Sequence, residues 1–141
     1  MRIMAVDYGD ARTGIAVSDE SASIAGEAWV IFEKSMDAVA RTVTAESAAR
    51  NVSVVVVGYP KNMNGTIGPR AQKSERLAAL LRSRLVSCEV VLWDERMTTM
   101  SAHRILTDTG KHGKKRKNTV DAVAASLILE SYLNSSPAMA P

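Results

Sequence analysis

Short apolar runs separated by polar turns dominate the start of the chain and predict β-strands. The runs lie at Ile3–Val6, Gly14–Ser18 and Ala28–Phe32. The first two are joined by a polar segment that contains glycine, so they predict a β-hairpin. A helical pattern follows, because Ser35 can cap a helix that continues to about Arg50 with apolar residues three and four positions apart.

The middle of the chain alternates between strand and helix patterns. Val52–Val57 is a nearly continuous valine run, which is typical of a strand buried on both faces of a parallel sheet. Pro69 can open a helix at its first turn, and Glu89–Trp93 predicts a fifth strand. Antiparallel strands followed by β-α-β crossovers predict an α/β fold with one five-stranded mixed sheet and helices on both faces.

Two more helices are predicted towards the C-terminus. A short one is followed by the basic segment Lys111–Lys117, which has no apolar periodicity and is predicted to be a solvated loop. Asn118 or Thr119 then caps the last helix. We therefore predict one domain over residues 1–134 and a flexible tail over residues 135–141.

Three acidic residues occupy places where a hydrophobic core does not need them. Asp7 follows the first strand, Glu95 follows the fifth, and Asp121 lies in the first turn of the last helix. Crossover connections bring the ends of the first and fifth strands to one edge of the sheet, where ligands of such folds bind. Clustered carboxylates repel each other unless a cation lies between them, and oxygen ligands suit magnesium or manganese.

Each acid also has an interpretation without a site. Asp7 can serve only the turn, Glu95 can pair with Arg96, and Asp121 can favour the helix N-terminus through the helix dipole. It is their joint placement that favours a site. Asp94 is an alternative ligand to its neighbour Glu95, although it points to the opposite side if the strand continues.

Composition narrows the class of protein. The chain has 141 residues, a formal charge of +3 and a single cysteine, so it has no intramolecular disulfide and no cysteine-based zinc site. No apolar run is long enough to cross a membrane and no signal peptide is present, so we expect a cytoplasmic protein. Aromatic residues make up 4% of the chain, which argues against a surface built on stacking rings.

Basic residues near the acids suggest an anionic substrate. Arg12 and Arg96 flank the acids and can hold a phosphate through paired hydrogen bonds. Lys114 and Lys115 belong to the basic segment, which can follow a phosphate backbone if it lies near the acids. The hairpin turn is also similar to that of sugar kinases and actin-like ATPases, but those enzymes close a second lobe over the nucleotide, and this chain is too short for one.

Four motifs in register resemble those of one known family. They lie at Asp7–Ala16, Gly58–Thr66, Asp94–Ala102 and Lys117–Leu133, and they cover nearly the whole chain. The family they resemble is the bacterial YqgF (RuvX) proteins. The resemblance implies an RNase H-like fold and a nuclease that processes the 5′ end of pre-16S ribosomal RNA, or elsewhere a Holliday junction resolvase.

The resemblance also maps functional residues onto this chain. The family's acids fall on Asp7, Glu95 and Asp121. Tyr59 and Lys61 stand where the family usually has leucines, so the loop after the valine-rich strand is more polar here. Such a change affects substrate contacts and leaves the acids in place.

Together these observations predict a metal-dependent endonuclease that hydrolyses phosphodiester bonds in structured RNA. The three acids hold Mg²⁺ or Mn²⁺, a metal-activated water attacks the phosphorus, and Asn62 and Asn64 contact the nucleic acid. One alternative is the same chemistry on four-way DNA junctions, which requires a homodimer because two strands are cut symmetrically. Another is a nucleic-acid-binding module without turnover.

Overall fold

The protein is built on one mixed sheet flanked by helices. The computed structural model describes the backbone of residues 1–97 and 113–135, and the side chains of residues 1–96 and 120–135. The strands are β1 (Arg2–Asp7), β2 (Thr13–Ser18), β3 (Ala25–Ile31), β4 (Val52–Tyr59) and β5 (Glu89–Asp94). The helices are α1 (Met36–Ala49), α2 (Pro69–Arg84) and α3 (Gly113–Ser135), and a short 3₁₀ turn covers Glu95–Met97.

The five strands lie in the order β3-β2-β1-β4-β5. β1 pairs antiparallel with β2, and β2 pairs antiparallel with β3, so the N-terminal strands form a meander. β4 pairs parallel with β1 on one side and with β5 on the other, as expected for the valine-rich strand. The predicted five-stranded mixed sheet is confirmed, and the carboxyl ends of β1, β4 and β5 share one edge.

Two hydrophobic layers cover the faces of this sheet. Met4 and Val6 of β1 point to the layer formed with α1 and α2, whereas Ile3 and Ala5 point to the layer formed with α3. Because side chains alternate along a strand, Asp7 belongs to the face that α3 covers. The same alternation along β5 places Trp93 in the α3 layer and Leu92 in the other.

Local signals explain where the first two helices begin. Ser35 caps α1, since its side chain accepts a hydrogen bond from the amide of Ala38 at 3.3 Å. Pro69 opens α2, where its missing N–H costs nothing. Both starts agree with the sequence prediction. A single residue, Ser35 or Pro69, therefore marks where each of these helices begins.

Two predicted boundaries are wrong. β3 begins at Ala25 rather than at residue 28, because Ala25 already pairs with Ser18 of β2. α3 begins at Gly113, so residues 113–117 are helical and do not form the predicted basic loop. For the same reason neither Asn118 nor Thr119 caps the helix, and Asp121 lies beyond its first turn. Lysine and arginine are good helix formers, and the apolar pattern alone could not show that the helix extends beyond its packed part.

Several predictions fall outside the described residues. They concern the short helix predicted after residue 97, the first part of the basic segment, and the tail beyond residue 135. Within the described part of the chain, no helix has the length and apolar character needed to span a bilayer.

Candidate active site

Three elements bring the predicted acids to the carboxyl edge of the sheet. Asp7 is the last residue of β1, Glu95 follows β5 directly, and Asp121 lies on α3. Asp7 and Glu95 share the α3 face by strand alternation, and electrostatic coupling connects Asp7 with both other acids. The structure therefore brings the three acids to the sheet edge predicted from the crossover connections. There the charge of Asp121 acts on Asp7, and the charge of Asp7 acts on Glu95.

Two buried glycines make room for this arrangement. A Cβ on Gly14 would lie 2.1 Å from the backbone oxygen of Asp121, so α3 packs directly onto the backbone of β2. A Cβ on Gly58 would lie 2.6 Å from Oε2 of Glu95 and 2.7 Å from Cδ1 of Ile128. The missing side chains let Glu95 and α3 approach the sheet edge closely.

Burial raises the pKa of two of the acids, Asp7 and Glu95. Removal from water raises the pKa of Asp7 to about 6, with the charge of Asp121 adding to the rise and that of Arg70 opposing it. Removal from water, followed by the charge of Asp7, raises the pKa of Glu95 to about 7, again against Arg70. The protein therefore holds these carboxylates in a place that disfavours their charged forms.

Asp121 is less buried and has a cationic neighbour. Its Oδ2 lies 3.2 Å from Nε of Arg12, and the two side chains are 24% and 37% exposed, respectively. Burial still raises the pKa of Asp121, against the nearby charges of Arg12 and Arg70. The predicted phosphate-binding residue Arg12 is thus an ion-pair partner of a proposed metal ligand in this structure.

Two carboxylate oxygens of this site are buried without a hydrogen bond from any described residue. They are Oδ1 of Asp7 and Oδ2 of Asp121. The ion pair of Asp121 with Arg12 is close in distance but lacks the direction of a hydrogen bond. Buried polar atoms are normally satisfied. Oδ1 of Asp7 is therefore an acceptor that no described residue satisfies, whereas Oδ2 of Asp121 has the charge of Arg12 beside it.

Sequence reasoning missed Arg70, which the structure places among the acids. It lies in the first turn of α2, and its charge lowers the pKa values of Asp7, Glu95 and Asp121 relative to what burial alone would give. A signal was present, since Pro69 predicts a helix that starts at the same sheet edge, and the next residue is this arginine.

The structure also separates Asp94 from Glu95. Asp94 is the last residue of β5 and lies on the opposite face by alternation. Arg96 holds its carboxylate, with Nε 3.0 Å from Oδ1 and the terminal nitrogen 2.6 Å from Oδ2, and this contact holds the pKa of Asp94 below its usual range. Arg96, predicted to hold a phosphate, is engaged here by its neighbour.

The loop between β4 and α2 is held in shape by its own polar side chains. Asn62 donates from Nδ2 to Oγ1 of Thr66 at 2.9 Å, and Oδ1 of Asn64 accepts from the same hydroxyl at 2.6 Å. Arg96 reaches the backbone oxygen of Met63 at 3.5 Å. Both asparagines are exposed, so the loop presents them beside the site, and their contact with nucleic acid stays a prediction.

Tyr59 and Lys61, which stand where the family usually has leucines, make structural contacts here. The hydroxyl of Tyr59 donates to Oε2 of Glu75 at 2.5 Å, which joins the end of β4 to α2. Lys61 lies over the Tyr59 ring, with Nζ 5.5 Å from the ring centroid. The predicted binding residues Lys114 and Lys115 lie on the first turns of α3, where the side chains are outside the described residues.

The donor set of this site suits a hard divalent cation. It offers carboxylate oxygens, two of them buried and unsatisfied, with pKa values raised by burial. In the described part of the chain, no three Asp, Glu, His or Cys side chains stand ready to enclose an ion as they are. Asp7, Glu95 and Asp121 are the residues that would hold such an ion.

Neutralising Asp7 is expected to stabilise the metal-free protein. The pKa of Asp7 rises from 3.8 to about 6 on folding, so its stabilising contribution is present below pH 3.8 and is lost as the pH rises through 6. Asp7→Asn removes this cost, which is about 3 kcal/mol by the usual conversion. In EDTA, the melting temperature of the variant should exceed that of the wild type by about 5–10 °C at pH 8, and the difference should shrink at pH 5.

The matched control is Asp10→Asn, which neutralises an exposed acid on the loop that follows β1. Asp10 pairs with Lys73 at 2.6 Å, and this contact lowers its pKa, so the control should not gain stability at pH 8. Equal melting temperatures for Asp7→Asn and the wild type at pH 8 would show that the charged form of Asp7 does not destabilise the folded protein.

Comparison with known proteins assigns the family. The family described as "RuvX: Holliday junction resolvase" matches residues 1–135. The chain belongs to the RuvX family. RuvX relatives from Geobacillus kaustophilus and Halothermothrix orenii are 45% and 41% identical over 137 and 134 residues, respectively. The alignments cover 96% and 95% of this chain and 99% and 95% of the relatives, and both relatives are named "Putative pre-16S rRNA nuclease".

Solved structures of resolvases share the fold of this RuvX protein. RuvC of T. thermophilus in complex with a Holliday junction substrate has a TM-score of 0.62 at 12% identity, covering 96% of both chains. The fowlpox virus resolvase in complex with Holliday junction DNA has a TM-score of 0.56 at 15% identity, covering 96% of this chain and 98% of that one. These similarities confirm the predicted RNase H-like fold.

Proposed function

We propose that this RuvX protein is a divalent-metal-dependent endonuclease that processes the 5′ end of pre-16S ribosomal RNA. The observation that carries the proposal is the presence of Asp7, Glu95 and Asp121 at the carboxyl edge of the sheet, with two buried oxygens that accept no hydrogen bond from any described residue. The names of the RuvX relatives supply the RNA substrate, and the resolvase fold supports phosphodiester hydrolysis.

Each group of the site has a role in this proposal. Asp7, Glu95 and Asp121 would hold the cation, and Gly14 and Gly58 let α3 and Glu95 lie close to the sheet edge. When bound, Mg²⁺ or Mn²⁺ would supply Lewis acidity for hydrolysis of a phosphodiester. Burial of the carboxylates excludes bulk water, so their charges act strongly on whatever binds between them.

Arg12 lies beside the acids, where it can meet the substrate. Its Nε is 3.2 Å from Oδ2 of Asp121 and offsets part of that charge. Its guanidinium would hold a phosphate oxygen at the edge of the site. Asn62 and Asn64 lie on the neighbouring loop, where they can contact the nucleic acid chain.

A second candidate is cleavage of four-way DNA junctions. The family description and the two junction-bound resolvase structures favour it. It differs from the RNA function in one physical requirement, because symmetric cutting of two strands needs two active sites in a homodimer. A protein that is active as a monomer would exclude this candidate.

A paired cleavage assay tests the proposal. A labelled pre-16S RNA fragment and a labelled four-way DNA junction are each incubated with the protein in Mg²⁺, Mn²⁺ or EDTA. We expect metal-dependent cutting of the RNA at one position. Cutting of the junction alone would favour the resolvase, and binding of either substrate without any product would favour a non-catalytic binding module.

A further inference from the structure

The acid cluster creates an electrostatic problem for a nucleic acid substrate. Asp7, Glu95 and Asp121 lie at one edge of the sheet, and a phosphate backbone that approaches them carries charge of the same sign. Basic side chains must therefore meet the phosphates near the site. The described residues provide three arginines in this region, at positions 12, 70 and 96.

Two of the three arginines are already engaged by carboxylates. Arg12 pairs with Asp121, and Arg96 donates to both carboxylate oxygens of Asp94. Arg96 also reaches a backbone oxygen of the neighbouring loop, so its guanidinium holds that loop against the end of β5. Using either arginine for substrate requires breaking an existing ion pair.

Arg70 differs from the other two arginines, although it also lies at the edge of the sheet near the acids. Its charge acts on the three acids, but its guanidinium makes no direct hydrogen bond or ion pair with any other described residue, and the residue is exposed. Its place is fixed by its helix, because Lys73, one turn further along α2, holds Asp10 of the β1–β2 loop at 2.6 Å. Ala71 and Leu77 of the same helix are fully buried, so α2 does not move freely.

We propose that Arg70 is a substrate-binding residue, whose guanidinium, paired with no other described residue, binds a phosphate of the nucleic acid beside the acid cluster. This inference rests on the proposed function and names the contact that brings the substrate backbone to the acids. Arginine suits the task because its planar fork donates two parallel hydrogen bonds to a phosphate and keeps its charge at every working pH.

Binding of RNA by variants that do not cleave tests the proposal. Asp7→Asn is the background, and Arg70→Gln or Arg76→Gln is added to it. Arg76 is an exposed arginine of the same helix outside the site, so it is the matched control. Affinity for the labelled pre-16S RNA fragment is measured by fluorescence anisotropy in EDTA at several KCl concentrations.

Arg70→Gln should weaken binding about tenfold and reduce the salt slope of the binding constant by about one, since one phosphate contact is lost. Arg76→Gln should change affinity less than twofold. Arg70→Lys should retain the salt slope while losing part of the affinity, because the charge stays and the paired hydrogen bonds go. A merely structural role for Arg70 would not change the salt slope.

The outcomes separate this inference from the proposed function. If Arg70→Gln binds RNA as Arg76→Gln does, with the same salt slope, Arg70 is not a phosphate contact, whatever the cleavage assay shows. If the wild type cuts neither substrate while Arg70→Gln still loses affinity, the contact is real and the nuclease proposal fails. Absence of RNA binding by the Asp7→Asn protein itself would overturn both.

Discussion

Asp7→Asn is expected to lower the rate of RNA cleavage by about 10³-fold while the protein stays folded. A catalytic metal supplies several kcal/mol of transition-state stabilisation, and each 1.36 kcal/mol corresponds to a factor of ten in rate. Asparagine keeps the size of the side chain but removes the charge that would hold the cation. Cleavage of the labelled RNA fragment in Mg²⁺ under single-turnover conditions measures the loss.

Asp10→Asn is the matched control for this experiment. It removes the same charge from an exposed side chain three residues along the chain, whose partner is Lys73 rather than the acid cluster. Its rate should stay within a few-fold of the wild-type rate. If Asp7→Asn and Asp10→Asn cleave equally well, the acid cluster is not the catalytic centre.

Gly14→Ala is expected to destabilise the protein by about 2–3 kcal/mol and to abolish cleavage. The added Cβ would lie 2.1 Å from the backbone oxygen and 2.8 Å from the carbonyl carbon of Asp121. Backbone atoms cannot turn away as a side chain can, so α3 must move off β2, at the usual cost of overpacking. This movement carries Asp121 away from the other two acids.

Urea unfolding and the cleavage assay together measure this effect. Gly68→Ala is the control. Gly68 is the N-cap residue of α2, and the nearest atoms to an added Cβ there are in the side chain of Asn62, 3.6 Å away. This variant should lose no more than about 1 kcal/mol, because alanine is a poorer N-cap residue than glycine, and it should keep its cleavage activity. Wild-type stability and activity in Gly14→Ala would mean that α3 does not pack against β2 at this point.

The sheet and the position of the acids could be predicted because they depend on local patterns. The run Val52–Val57 identifies the central strand without reference to any other part of the chain. Asp7 and Glu95 follow strands whose ends must meet at one edge once the crossovers are known. The same alternation separates Asp94 from Glu95, a choice that the sequence left open and the side-chain contacts of Asp94 explain.

The rest of the site depends on contacts between distant parts of the chain. Nothing local shows that Gly14 must lack a side chain, since the atom it would meet belongs to a residue more than a hundred positions away. Arg70 was missed for the same reason, because the acids on which its charge acts lie at the end of β1, in the turn after β5 and on α3. The extent of α3 towards Gly113 depends on helix propensity in a segment without apolar periodicity.

Calorimetric titration of Mn²⁺ into the metal-free protein at pH 7.5 tests the central claim most directly, because it asks whether the acid cluster holds a cation. The wild type and Asp10→Asn should bind the ion with the same affinity, and Asp7→Asn should lose at least about tenfold in affinity. Binding to Asp7→Asn with wild-type affinity and stoichiometry would contradict the assignment of Asp7, Glu95 and Asp121 as the metal site.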